Sequence, residues 1–277
     1  VNNTEQKFIL GHFRFKLQSN NTVLLMTLSD MLPTIEWQSE PNNKKYHPPS
    51  PEPLINLDAP IKSDTGDILC LSSLSPAHSV AYLVDCALKF HQGMIWLEGA
   101  GLVDKNKNLI LVCGASQSGK TTLSLALASA FGWKIISEDL ILVNPTTKQV
   151  VPFARPLGLR PDSIDRILKV TDKSGFAGLS ADDWYFDPQI HHYSEAPFKF
   201  SQAILLNSAN IQPEAPLSIE EVSMSQFLRD ILPIANCVRV EGAIDLVNEG
   251  LQGTSCFIIK GGNLKERLEF LESPLKR

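Results

Sequence analysis

Residues 108–131 constrain this chain more than any other stretch, because a strand-like run, a glycine loop and a helix-like run follow one another without a spacer. Asn108-Leu-Ile-Leu-Val-Cys113 is short, apolar and rich in strand formers. Gly114-Ala-Ser-Gln-Ser-Gly-Lys-Thr121 completes the pattern G-x-x-x-x-G-K-[ST]. Thr121-Thr-Leu-Ser-Leu-Ala-Leu-Ala-Ser-Ala-Phe131 has helical composition and length. Glycines at 114 and 119 admit backbone conformations closed to other residues, so successive N–H groups can turn inward on an anion. The positive end of the following helix adds to that field. The pattern predicts that Gly114, Ala115, Ser116, Gln117, Ser118 and Gly119, with Lys120, Thr121 and Thr122, cradle the phosphates of a nucleoside triphosphate. Lys120 then reaches the outer phosphates and the Thr121 hydroxyl ligates Mg²⁺. The bland alternative is a glycine turn that merely joins a strand to a helix.

The rest of the composition narrows the class. With 277 residues, 43% hydrophobic and 20% charged, the chain has the make-up of a globular protein with a substantial core. A net charge of −5 argues against a general affinity for nucleic acid or anionic membrane. No apolar stretch is long enough for a membrane span, and the first residues, Val-Asn-Asn-Thr-Glu-Gln-Lys, lack a secretory pattern. Cys70, Cys86, Cys113, Cys237 and Cys256 are scattered, which fits reduced thiols and a cytoplasmic setting better than disulfides or zinc. Cys113, beside the loop, reads as a small buried strand residue.

Along the chain, Phe8-Ile-Leu, the alternating Phe13-Arg-Phe-Lys-Leu and Thr22-Val-Leu-Leu-Met read as strands of a small N-terminal element. Prolines at 41, 48, 49, 51, 53 and 60 make residues 41–60 a connector without regular structure. The expected division is therefore 1–60, then a catalytic domain over 61–277. Ile68-Leu-Cys-Leu reads as a short strand, and Pro76 to His91 has helical periodicity through Val80, Leu83, Val84, Ala87 and Leu88. Residues 94–103 and the strand before the loop, joined by Asp104-Lys-Asn-Lys-Asn, predict an antiparallel hairpin and hence a mixed sheet. After the loop helix, Trp133-Lys-Ile-Ile-Ser reads as a strand. Leu140-Ile-Leu-Val and Gln149-Val-Val-Pro-Phe form a second hairpin, and residues 171–200 read as a polar, flexible segment near the site. Ala203-Ile-Leu-Leu and Cys256-Phe-Ile-Ile-Lys read as strands, and Ser225–Leu232, Gly242–Gly250 and Asn263–Glu272 as helices.

A phosphate loop needs an acidic partner for the metal and, for transfer to an alcohol, a base. Glu138 and Asp139 follow the strand after the loop helix, where carboxylates can face a loop at the same sheet edge. An acidic turn at a strand end is the alternative.

The stretch Leu97-Glu-Gly-Ala, then Gly114–Thr121, then Ile136-Ser-Glu-Asp-Leu-Ile-Leu-Val resembles the catalytic domain of HPr kinase/phosphorylase and its kinase-like relatives over about 50 residues. That resemblance implies an α/β fold: a mixed β-sheet P-loop kinase domain of the phosphoenolpyruvate carboxykinase/HPr kinase type, with a small N-terminal β-containing element. It implies ATP and Mg²⁺ as cofactors and transfer of the γ-phosphoryl group to a hydroxyl of a peptide, protein or small molecule. Some relatives tailor ribosomally made peptides, and relatives often assemble, which leaves a homo-oligomer open without fixing the oligomeric state.

Carried across, Lys120 matches the phosphate-binding lysine and Thr121 the metal-binding serine of the family. Glu138 matches the general base, and Asp139 the second acidic residue, near the metal. Arg155 matches an arginine beside the site, although Phe153 stands where the family has Glu. Glu98 replaces the family's His. It either joins the acid/base chemistry, where like charge would raise a neighbouring carboxylate's pKa, or it faces elsewhere. The family's separate N-terminal domain and phosphorylase segment are not recognisable here, so HPr is not the expected acceptor.

Other residues have weaker claims. His191 and His192 read as a surface loop or a lid, Arg155 and Arg160 as charge neutralisers or solvated cations, and Trp133 and Trp184 as core residues or adenine platforms. The competing functional readings are a nucleotide-binding regulatory protein without phosphoryl transfer and a small-substrate carboxykinase.

Overall fold

Alternating sequence starts the fold. β1 (Thr4–Leu10) and β2 (Phe13–Ser19) pair antiparallel, with Leu10 opposite Phe13 and Thr4 opposite Ser19. Phe13, Phe15 and Leu17 are buried and the residues between them are not, the period-2 pattern of a one-sided strand. The computed structural model describes residues 4–10, 13–32, 54–62, 68–73, 75–91, 93–159, 161–170, 184–185, 188–192, 194–207, 215–235 and 240–272.

The next apolar run departs from its expected strand: Thr22-Val-Leu-Leu-Met opens helix α1 (Thr22–Met31). Asn21 supplies the cause. Its side-chain oxygen accepts from Leu24 N at 3.0 Å, a helix N-cap. Leu24, Leu25 and Leu28 then share a buried face, while Val23 and Met26 are exposed. A five-residue apolar run fits either period, and here the cap decides.

β3 (Leu54–Asn56) runs parallel to β2, and β4 (Pro60–Lys62) pairs antiparallel with β5 (Ile68–Cys70). The end of the Pro-rich stretch therefore carries regular structure where none was expected. Pro60 is tolerated because it is the first residue of its strand. Residues 41–53 of that connector lie outside the described residues. α2 (Pro76–Phe90) begins on its proline and buries Val80, Leu83, Val84 and Ala87, as its periodicity predicts. Contacts between Cα atoms group Val1–Gln92, Ala154–Pro156 and Trp184–Pro188 in one unit, and Gly93–Phe153, Leu157–Asp183 and Gln189–Arg277 in another.

The second unit is a mixed α/β structure. Its elements run β6 (Ile95–Val103), β7 (Leu109–Gly114), α3 (Lys120–Phe131), β8 (Lys134–Ser137), β9 (Leu140–Asn144) and β10 (Gln149–Val151). β11 (Leu157–Gly158) and α4 (Pro161–Leu168) follow; β12 (Trp184–Tyr185) groups with the first unit. Then come β13 (Ala196–Pro197), β14 (Phe200–Leu206), β15 (Ser218–Val222), α5 (Met224–Ile231), α6 (Ala243–Gly250), β16 (Ser255–Lys260) and α7 (Leu264–Glu272).

The sheet order is β13-β10-β9-β6-β7-β14-β16-β15, with β8 also on β6. The expected hairpin is present: β6 and β7 pair antiparallel, Val103 opposite Leu109. β14 lies parallel between β7 and β16, so the sheet is mixed. All six residues of β7 are buried, which suits an apolar run covered on both faces. Leu109, Leu111 and Cys113 join a core with Ala203, Leu205, Phe227, Ile231, Leu246 and Val247, beneath α5 and α6. Helix α3 packs on β6, β7 and β8, flanked by α4 and α7. No helix among the described residues is long and apolar enough to cross a membrane.

Asp104 holds the hairpin that carries the loop. Its Oδ1 accepts from Asn106 N and Asn108 N, both at 2.8 Å, and its Oδ2 accepts from Asn108 Nδ2 at 2.9 Å. The side chain is buried. Replacing Asp104 with Ala should cost about 2 kcal/mol, for loss of several charge-assisted bonds in one turn. In thermal unfolding that corresponds to a melting point lower by about 4–8 °C; an unchanged value would mean that the turn residues alone set the hairpin.

Candidate functional site

The centre of the second unit's sheet ends in a loop that only glycine permits. Gly114 has φ +154°, and a Cβ there would lie 2.5 Å from Ser118 Oγ and 2.6 Å from the Leu206 carbonyl oxygen. Strand β14 and the returning loop thus close on the same backbone position. Gly114→Ala should destabilise the fold by about 2–4 kcal/mol through overpacking and backbone strain, measured by denaturant unfolding. Wild-type stability would show that the loop can relax.

Beyond Gly114 the chain turns sharply. Ser118 N donates to the Ala115 carbonyl at 3.1 Å, Gln117 has φ +69° and Gly119 φ +96°. Ala115, Ser116 and Gln117 are exposed; Ser118 is buried, and its hydroxyl has no hydrogen-bond partner among the described residues. Leu123 N is the amide that bonds back to the Gly119 carbonyl, at 2.9 Å. The amides of Lys120, Thr121 and Thr122 therefore lie in the first turn of α3, where the helix supplies no acceptor. A glycine turn feeding such a helix start favours anions.

Lys120 is buried, and its stem folds back over the loop. Nζ donates to the Gly114 carbonyl at 2.8 Å, to the Ala115 carbonyl at 3.2 Å and to Glu98 Oε1 at 3.3 Å. Glu98, partly exposed on β6, therefore faces the lysine. Across from it, Thr121 Oγ1 donates to Glu138 Oε1. Glu138 is 2% exposed, the most buried carboxylate of the described residues.

The position of Glu138 follows from a change of partner along β6. Ile95–Glu98 pair with β9, whereas Gly101–Val103 pair with β8. The chain crosses from one to the other through Ser137-Glu138-Asp139. Leu140 N donates to the Glu138 carbonyl at 2.8 Å, Ser137 Oγ donates to the Leu140 carbonyl, and Gly99 N donates to the Asp139 carbonyl at 2.9 Å. Asp139 has φ +64°, an uncommon conformation for a residue with a side chain. Its side chain is half-buried, and its backbone is tied to the residue after Glu98. Glu138, bonded to Thr121, and Glu98, bonded to Lys120, thus both reach the start of α3, and the bend joins Glu138 to Asp139.

Other expected residues fall differently. Phe153 is fully buried beside Ile136, to whose carbonyl its N–H donates at 2.8 Å. Arg155 is half-buried and belongs to Ala154–Pro156, which groups with the first unit. His191 corrects the surface-loop reading: it is 5% exposed and bridges Ile135 of β8, with His192 N donating to the Ile135 carbonyl at 2.9 Å. Trp133 is buried against Phe131, ring centroids 6.0 Å apart, which is core packing. Burial pushes the Cys113 thiol up to about 12, outweighing the nearby Lys120 charge, so it is a structural thiol as expected. Arg160 and Cys237 lie outside the described residues.

Sequence reasoning missed one cation at the loop. Arg267 of α7 brings Nη1 to 3.7 Å from where a Cβ on Gly119 would stand. No local signal could have found it, because its place depends on the β7-β14-β16 order.

Among the described residues no three His, Cys, Asp or Glu side chains converge into a ready metal cage. Mg²⁺ does not require one, since it is commonly held by one or two protein oxygens together with phosphate oxygens and water. The Thr121 hydroxyl suits that use: its proton goes to Glu138, which leaves oxygen lone pairs for a cation.

No known protein-family profile matches the chain, and no curated protein matches its sequence. Among solved structures, a distant neighbour is the HPr(Ser) kinase/phosphatase from Coxiella burnetii, 14% identical, over 65% of this chain and 95% of that chain, with a TM-score of 0.29. A superposition that loose leaves the molecule to be read from its own site.

Proposed function

We propose that the chain is an ATP- and Mg²⁺-dependent phosphotransferase that moves the γ-phosphoryl group to the hydroxyl of a peptide, protein or small molecule. The observation that carries this reading is the hydrogen bond from Thr121 to Glu138. It sets a buried carboxylate against the first turn of the helix that follows a complete G-x-x-x-x-G-K-[ST] loop.

In this reading the loop from Gly114 to Gly119 and the first amides of α3 grip the phosphates, with Thr122 completing the turn. Lys120 exchanges its carbonyl and Glu98 contacts for phosphate oxygens and neutralises charge on the transferring group. Bound Mg²⁺ would be held by Thr121 and Asp139 and would supply further charge neutralisation at the phosphates. Glu138 takes the proton of the acceptor hydroxyl as its oxygen attacks the γ-phosphorus. The bond from that phosphorus to the β–γ bridging oxygen breaks, and ADP leaves. Glu98 keeps Lys120 in place before the nucleotide arrives.

Labelled ATP, Mg²⁺ and a panel of serine-bearing peptides and small alcohols test the proposal. Label should pass to at least one acceptor class, and transfer that persists undiminished in Lys120→Ala would contradict it.

A second reading has one observation in its favour. Lys120 is already satisfied by Glu98 and two carbonyls, so a nucleotide could bind for regulation without transfer. Strong thermal stabilisation by Mg·ATP with no transfer to any acceptor would select it.

A further inference from the structure

Arg267 reaches the loop from a built mount. After β16 ends at Lys260, Gly261 and Gly262 turn the chain into α7. Asn263 caps that helix reciprocally: Glu266 N donates to Asn263 Oδ1 at 3.0 Å, and Asn263 N donates to Glu266 Oε2 at 2.7 Å. One helical turn on, Arg267 donates from Nε at 3.0 Å and from Nη2 at 2.9 Å to the same acceptor, the Gly261 carbonyl. That carbonyl is itself held in place. A Cβ on Gly261 would lie 2.5 Å from the Pro216 carbonyl oxygen and 2.8 Å from that of Ala215, and Gly262 N donates to the Ala215 carbonyl at 2.8 Å.

A planar guanidinium anchored along one edge has a fixed direction for its remaining nitrogen. Here that nitrogen is Nη1, and it faces Gly119, the residue that opens α3, at 3.7 Å from a Cβ built there. No carboxylate pairs with Arg267 among the described residues. Burial, and secondarily the charge of Arg166, hold its pKa below the ordinary guanidinium value; Arg166 has its own partner in Asp162 at 3.2 Å. A half-buried guanidinium with no carboxylate partner among the described residues, beside the first turn of α3 whose amides have no acceptor within the helix, is an arrangement that an anion relieves.

We infer that Arg267 is a second cation of the anion site, its Nη1 contacting a phosphate oxygen of a nucleoside polyphosphate held by the Gly114–Thr121 loop. The inference rests on the nucleotide reading above and deepens it. It assigns the C-terminal helix a direct part in ligand binding, and it makes the site selective for ligands with several phosphates over the bare nucleoside. The alternative is that Arg267 only fastens the Gly261 turn.

Phenylglyoxal labelling with peptide mass spectrometry tests this on the wild-type protein. Mg·ATP, at a concentration shown by calorimetry to saturate, should slow modification of Arg267 about fivefold or more, as contact with phosphate buries the nitrogen. Adenosine at the same concentration should not, and exposed Arg229 should be unaffected. An unchanged rate at Arg267 under proven saturation overturns the inference and leaves the nucleotide reading standing. Absence of ATP binding by the wild-type protein overturns both. In parallel, Arg267→Gln should raise the ATP Kd about tenfold, with Arg267→Lys partly restoring it. Wild-type Kd in both variants would also overturn the inference. The labelling experiment needs no variant to fold.

Discussion

Glu138→Gln should lower phosphoryl transfer by about 10²–10⁴-fold, the usual contribution of a positioned general base. The substitution is chosen because the amide oxygen of Gln can still accept from Thr121, so the turn and the loop keep their geometry and only the charge and basicity go. If Glu138 takes the acceptor's proton, the loss falls on kcat, and the KM for ATP stays within about threefold. Stability should change little: the Glu138 side chain is 2% exposed, and Gln keeps its volume and its bond from Thr121, so the melting point should stay close to that of the wild type. Activity lost while stability is kept marks a residue retained for chemistry. A variant that melts earlier and transfers normally would make Glu138 a structural carboxylate.

Lys120→Met carries the second large effect. The Met side chain can follow the buried aliphatic path of the lysine, but it gives up the bonds from Nζ to the Gly114 and Ala115 carbonyls and to Glu98. Transfer should fall by about 10²–10³-fold, in line with the loss of one preorganised donor to the reacting group. Glu98, partly exposed, can return to water, so the fold should survive. Initial rates together with circular dichroism check both statements. Unchanged rates in a folded variant would place the phosphates elsewhere.

The parts of this site legible in the sequence are those set by short-range pattern. The hairpin into β7, the glycine loop, α3 and the acidic turn after β8 follow one another within Ile95–Asn144, and each announces itself by period, turn chemistry or composition. Thr22–Met26 was misread because a short apolar run has no period of its own, and the decisive signal was one capping residue, Asn21. His191 was misread because a polar neighbourhood in sequence says nothing about a bridge to Ile135 of β8.

The pairing of Glu98 with Lys120 needs β6 and β7 adjacent and in register, Gly99 opposite Cys113. Sequence reasoning reached the adjacency but not the direction of the side chain. Arg267 was beyond reach altogether, since β14 inserts between β7 and β16 from a distant part of the chain. Cations and carboxylates that complete a loop site come from sheet order, and sheet order is nonlocal.

Calorimetric titration of the wild-type protein with ATP in the presence of Mg²⁺ tests the shared premise most directly. The geometry around Gly114, Lys120 and Thr121 leads us to expect saturable one-site heat that is lost or strongly weakened in Lys120→Met. A folded wild-type protein that gives no binding heat with ATP, GTP or their diphosphates would contradict it.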